Sequence, residues 1–174
     1  DLRAALGVPI VIDNDANAAA WAEHERGAGR GTTEMLFVAL GTGLGAGLVL
    51  RNELYRGHQG FAGEAGHLTV VIDGRACPCG ARGCWERYAS GTALVAHYVE
   101  RGGDPEVGGP GITSGAAQGD PVALGALTDV GEWLGRGLAS LVAILDPEVI
   151  VVGGGVSESG DLLLDPARRL LAAS

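Results

Sequence analysis

GFAGEAGHLTVVIDGRACPCGARGCWE, residues 60–86, is the stretch around which the rest of the chain is read. All three cysteines lie in it, Cys77, Cys79 and Cys84, with His67 ten residues upstream of the first and Glu64 and Glu86 near its ends. Three thiolates and an imidazole supply the four ligands of a tetrahedral zinc site. The Cys77-Pro78-Cys79 pair can put both sulfurs on one ion, and Gly80 and Gly83 let the chain wrap without Cβ clashes. The competing reading is three buried thiols, or one disulfide and a spare. An odd number of cysteines, with nothing marking the chain as secreted, argues against a disulfide framework. These cysteines also stand among Pro, Gly and Arg rather than among aliphatic residues. Carboxylates suit a Cys-rich site poorly, because its thiolates already carry more charge than the metal. The cluster therefore reads as a clamp, and Glu64 and Glu86 as what the clamp positions.

Working outward, the 174 residues suffice for one domain of ordinary size or a little more, and the 47% hydrophobic share suffices for a core. The 31 glycines gather at turns between apolar runs. Net charge is −9, and all 12 basic residues are arginine. That acidity, without a basic stripe, argues against nucleic acid or an anionic membrane as partner. The apolar runs fall short of a membrane span. Together with the thiols, this leads us to expect a reducing, cytoplasmic setting. The chain opens on Asp1 and its only methionine is Met35, so a piece of a longer protein is expected. Asp161 to Ser174 reads as a helix with nothing for its apolar face to meet.

Before the cluster, Asp1 to Leu6 reads as the end of a helix stopped at Gly7, and Val8 to Ile12 as a short buried strand. Asp13-Asn14-Asp15-Ala16-Asn17 then opens an alanine-rich helix reaching Arg26. A polar cluster between a strand and a helix is where α/β folds place ligands. Helix capping accounts for one such residue, and here four fall within five positions. Met35 to Leu40 reads as a second strand, running into Gly41-Thr42-Gly43-Leu44-Gly45-Ala46-Gly47. Those glycines either bring backbone N–H groups onto an anion or form a tight hairpin, and the residues alone leave both open. Strand resumes at Leu48 to Leu50 and, after a turn at Arg51-Asn52-Glu53, at Leu54 to Arg56.

After the cluster, a helix is expected from Arg87 to Arg101. An irregular loop follows over Gly102 to Gly119, then a helix capped by Asp120 with Pro121 in its first turn, ending near Leu145. Glu148 to Val152 reads as a buried strand before Gly153-Gly154-Gly155. His24, His58 and His97 fit no cluster and read as surface or packing residues. The alternation of elements is α/β.

IDNDANAAAWAE (12–23), LGTGLGAGLVL (40–50), RGHQGFAGEAGHLTV (56–70), CPCGARGCWERYASG (77–91) and LDPEVIVVGGGVS (145–157) stand in this order. They resemble the ROK family of sugar kinases and repressors over essentially the whole chain. The tryptophan of GCWE is most similar to the actinobacterial glucokinase branch. The resemblance implies an actin-like ATPase (ribonuclease H-like) fold, of which this chain is mainly the C-terminal lobe with a zinc-binding loop. It also implies ATP-dependent phosphorylation of glucose at its 6-hydroxyl, with Asp15 as the catalytic base. Asn14, Asp15, Glu64, His67 and Glu86 would bind the sugar, and His67, Cys77, Cys79 and Cys84 would hold structural Zn²⁺. Gly41, Thr42, Gly43 and Gly45 would contact the ATP phosphates, and Gly153, Gly154 and Gly155 would lie by the adenosine. Mg²⁺ would accompany ATP, but its acidic ligand cannot be assigned. The family's first phosphate motif, Asp-x-Gly-x-Thr, has no match here, so the chain alone is expected to be inactive. The complete protein is expected to be a homo-oligomer. The repressor branch supplies the alternative, a sugar-sensing domain, and a kinase for mannose, fructose or N-acetylmannosamine is a further one.

Overall fold

Strand β1 (Glu34–Leu40) sends Leu36, Val38 and Leu40 to one face of a sheet and Met35 and Phe37 to the other, and all five are buried. The computed structural model describes residues 2–10 and 12–173. Strand β2 (Leu44–Leu50) pairs antiparallel with β1, and its register, Leu40 opposite Leu44, leaves residues 41–43 as the hairpin loop. Strand β3 (Glu53–Tyr55) follows through Arg51 and Asn52, both at positive φ (58° and 63°), which matches the right-handed twist of a hairpin. Strand β4 (Val149–Gly153) adds parallel to β1, giving the order β3-β2-β1-β4. Parallel pairing requires a crossover, and the intervening helices provide it.

Helix α1 (Leu2–Leu6) is exposed throughout. Helix α2 (Asp15–Arg26) covers the face that carries Met35 and Phe37, with Ala20 in that smaller core. Helices α3 (Gly91–Glu100), α4 (Gly109–Ala117), α5 (Pro121–Leu145) and α6 (Asp161–Ala172) cover the other face, where the larger core lies. The result is a three-layer α/β arrangement. No helix among the described residues is long and apolar enough to cross a membrane.

Four sequence expectations change. Val8 to Ile10 and Ile12 form no strand, and Val11 lies outside the described residues. Val8 and Ile12 are 53% and 86% exposed, because the sheet offers this segment no partner. The expected loop over 102–119 contains α4, whose Ile112 and Ala116, one helical turn apart, are buried against α5. Tertiary packing there outweighs the low helix propensity of glycine. The helix expected from Arg87 starts at Gly91, because Ser90 caps it by accepting from the Ala93 N–H (3.1 Å) and 85–87 form a separate 3₁₀ turn. Finally, the apolar face of α6 does meet a partner. Leu163 and Ala167 are buried on α5, where a Cβ added to Gly131 or Gly135 would strike the Leu163 or Ala167 carbonyl oxygen at 2.4 and 2.6 Å.

Candidate functional site

The cysteines are all free, and they fold back toward His67 through two short backbone bridges. Thr69 pairs with Cys84 and Ala76 with Arg82, while the Cys77 amide donates to the Ala81 carbonyl (2.9 Å). Gly83, at φ 76°, runs against the Val71 carbonyl oxygen so closely that a Cβ would sit 1.7 Å from it. The ligand atoms of His67, Cys77, Cys79 and Cys84 all lie within 4.8 Å of one another. Cys79 Sγ and Cys84 Sγ are 3.7 Å apart, and Cys77 Sγ and His67 Nδ1 are 3.8 Å apart. A tetrahedron with zinc–sulfur bonds of about 2.3 Å has edges of about 3.8 Å, so the donor set fits the ion in both type and spacing. Burial pushes the Cys77 thiol up to about 12 and raises that of Cys84, whereas the Ala81 amide lowers that of Cys79. A cation among these sulfurs favours their thiolate forms against the effect of burial.

Glu86 stands at the edge of this cluster. Its Oε1 lies 3.0 Å from Cys77 Sγ and 3.9 Å from His67 Nδ1, and its Oε2 lies 3.0 Å from where a Gly43 side chain would begin. Glu64 is exposed and opens the 3₁₀ turn that carries His67, its carbonyl accepting from the His67 amide (3.1 Å). That turn packs on the hairpin, since a Cβ on Gly66 would lie 2.2 Å from the Leu44 carbonyl oxygen.

The start of α2, which Asn14 and Asp15 open, packs on the same hairpin from the opposite layer through Ala16 and Ala20. Asn14 caps α2, with Oδ1 accepting from the amides of Ala16 (2.8 Å) and Asn17 (3.2 Å), and Asp15 Oδ1 also accepts from Ala16 (2.8 Å). Capping therefore accounts for Asn14. A Cβ on Gly45 would lie 3.1 Å from Ala16 Cβ, and one on Gly47 2.4 Å from Ala20 Cβ. These two glycines lie inside β2 rather than in a loop, and their missing side chains let α2 approach. Asp13, outside the expected set, takes Arg56 Nε (2.9 Å) and Nη2 (2.5 Å) on one oxygen, which holds its carboxyl below the usual carboxylate range.

The far side of the hairpin loop borders a groove of about 930 Å³ between α3, α4 and residues 155–158. Gly41, Thr42, Val95, Val99, Pro110 and Gly155 are among the residues that line it. The loop is tied to the start of α3, because the Gly91 amide donates to the Gly41 carbonyl (2.7 Å) and Thr92 Oγ1 to that of Thr42 (2.7 Å). Gly154, at φ 88°, presses on the end of β1, where a Cβ would meet the Leu40 carbonyl oxygen at 2.5 Å. Thr92, Asp13, Arg56 and Trp85 were missed by sequence reading. Two of them had a local cue, Trp85 in its place between Cys84 and Glu86 and Asp13 in the polar cluster before α2.

The family model described as "ROK family" matches residues 1–173. The chain belongs to the ROK family. Among relatives of this ROK chain, a glucokinase of Streptomyces coelicolor is 44% identical over 184 residues, covering 97% of the chain and 58% of that protein. A putative xylose repressor of Caldicellulosiruptor is 39% identical, covering 95% of the chain and 45% of the repressor. The crystal structure of a ROK family glucokinase from Streptomyces griseus in complex with glucose and AMPPNP superposes with a TM-score of 0.92 at 43% identity, over 99% of this chain and 60% of that one. The fold is therefore that of the actin-like ATPases, as the family resemblance implied. The ROK chain spans about three-fifths of the length of these kinases and less than half of the repressor.

Proposed function

We propose that the complete protein transfers the γ-phosphate of ATP to the 6-hydroxyl of glucose. The observation that carries this reading is the hairpin shared by two sites. Glu86 lies over Gly43 and the start of α2 over Gly45, while Gly41 and Thr42 line the groove. A hydroxyl bound among the acids would thus face a phosphate bound at the loop.

In this reading Asp15 accepts the proton of the attacking hydroxyl, the role an aspartate plays in other phosphoryl-transfer enzymes. Asn14, Glu64, His67 and Glu86 accept or exchange hydrogen bonds with the remaining hydroxyls. Gly41, Thr42 and Gly43 serve the phosphates, with N–H groups of the turn offsetting their charge, whereas Gly45, inside β2 and under Ala16, serves the packing of α2. Gly153 to Gly155 flank the adenosine. Mg²⁺ accompanies the nucleotide, and no residue of this chain is assigned to it. His67, Cys77, Cys79 and Cys84 would hold zinc with four protein ligands, and the ion would supply rigidity rather than chemistry. Through it, His67 and the segment leading to Glu86 are oriented.

The similarity to a xylose repressor supports a second reading, a sugar-sensing domain. Retention of both Asp15 and the hairpin loop favours the kinase, since a sensor needs neither. A coupled assay of the complete protein with ATP and a panel of hexoses tests the two. Phosphorylation with glucose preferred supports the kinase. Sugar binding without turnover of any hexose supports the sensor.

A further inference from the structure

A groove that receives an anionic nucleotide should not be lined by acids, yet the charged residues lining it are Glu100 and Glu158. Glu100, at the end of α3, is held by a residue from the metal loop. Arg75 Nη2 donates to both of its carboxylate oxygens (2.6 and 2.7 Å), and Nη1 donates to the Arg87 carbonyl (2.8 Å). The guanidinium sits 4.9 Å from the centre of the Tyr88 ring, whose hydroxyl accepts from the Arg75 amide (2.7 Å). His97 adds a second cationic neighbour when protonated, with Nδ1 3.6 Å from Glu100 Oε2.

The backbone of Arg75 belongs to the cysteine loop. Its carbonyl accepts from the Gly83 amide (2.8 Å), and Cys77 follows two residues later. Whatever fixes Cys77, Cys79 and Cys84 therefore fixes the start of the Arg75 side chain. The other end of α3 is tied to the phosphate hairpin through Gly91 and Thr92. The groove wall formed by Val95 and Val99 thus runs between an anchor on the hairpin and an anchor on the metal loop.

We propose that Arg75 is a positioning residue that couples occupancy of the His67–Cys77–Cys79–Cys84 cluster to nucleotide affinity, by neutralising and fixing Glu100 on the groove wall. The inference rests on reading the groove as the nucleotide site. With the loop closed on its metal, the ion pair cancels the Glu100 charge and seats the end of α3. With the loop loosened, Glu100 loses its partner, the end of α3 is no longer seated, and an unpaired carboxylate is left on the wall of the nucleotide groove. Sugar affinity depends on the opposite side of the hairpin, so Arg75 leaves it unchanged.

Calorimetric titration of the complete protein with a non-hydrolysable ATP analogue plus Mg²⁺, and separately with glucose, tests this. Arg75→Met should weaken analogue binding about five- to tenfold, while retaining zinc and wild-type glucose affinity. Adding Glu100→Gln to that variant should restore most of the loss, which a merely structural defect would not allow. Glu100→Gln alone cuts the link from the groove side, away from the metal loop. Removing zinc should weaken analogue binding by the wild type but leave that of Glu100→Gln nearly unchanged. Equal losses in the two proteins on zinc removal, or wild-type analogue affinity in Arg75→Met, would overturn the coupling. Failure of the zinc-loaded wild type to bind the analogue would overturn the assignment of the groove itself.

Discussion

The indole of Trp85 fills the space that a side chain at Gly137 would need. A Cβ added there would lie 2.0 Å from Trp85 Cε2, and the indole N–H donates to the Trp133 carbonyl (2.7 Å) one turn earlier on α5. Trp85 is wholly buried, and its sequence neighbours are Cys84 and Glu86. One aromatic residue thus anchors both the candidate metal cluster and a candidate sugar ligand to the longest of the described helices.

Gly137→Ala follows directly. Alanine normally improves a helix interior by about 1 kcal/mol, but here it must displace a packed indole. Overpacking of this kind costs about 1–3 kcal/mol, so the net effect is a loss of thermal stability together with weaker metal retention. Melting curves and zinc content of the variant check it. A rise in Tm would show that Trp85 is not seated as described.

One zinc per chain is the second expectation. Elemental analysis after mild chelation should return a stoichiometry near unity. Stronger chelation should lower Tm and loosen sugar binding together, because metal binding is coupled to folding of the loop. An unchanged melting curve in the metal-free protein, or a disulfide between any two of Cys77, Cys79 and Cys84, would contradict the site.

The pair between Asp13 and Arg56 predicts a pH dependence. The folded-state pKa of Asp13 is depressed below its ordinary 3.8 by the guanidinium. Its contribution to stability is therefore present above that value and is lost as pH falls through the depressed pKa. Arg56→Met should lower Tm at neutral pH and flatten part of its acid dependence below the ordinary carboxylate value of 3.8. Parallel Tm–pH curves for wild type and variant would remove the pair from the account.

The metal cluster was legible because its ligands lie close in sequence and their types dictate the chemistry. The hairpin was legible as a Gly-rich turn between strands, although the residues alone left anion binding and a tight turn both open, and they left Asn14 and Asp15 between capping and a ligand role. The distinction between Gly41, on the loop, and Gly45, inside β2 and under Ala16, needed the α2 packing. A hint lay in Ala16 and Ala20, small residues one turn apart. Helix α4 was invisible because its glycines speak against a helix, and the burial of Ile112 and Ala116 that stabilises it comes from distant parts of the chain. Of the segment 8–12, the described residues Val8 to Ile10 and Ile12 misled in the opposite way. The segment's composition is that of a buried strand, but pairing partners are a property of the sheet. Arg75 carried no cue, since nothing local ties it to Glu100, 25 residues away.

The central claim is that Asp15, at the start of α2 where that helix packs on the β1–β2 hairpin, takes the proton from the sugar hydroxyl. Asparagine at this position keeps the shape and one acceptor but cannot receive that proton. Steady-state kinetics of Asp15→Asn in the complete protein, with ATP and glucose, paired with glucose calorimetry, measures this most directly. The account predicts a fall in kcat on the order of 10² to 10⁴, with most of the glucose affinity retained. A variant that keeps about a tenth or more of wild-type kcat would contradict it.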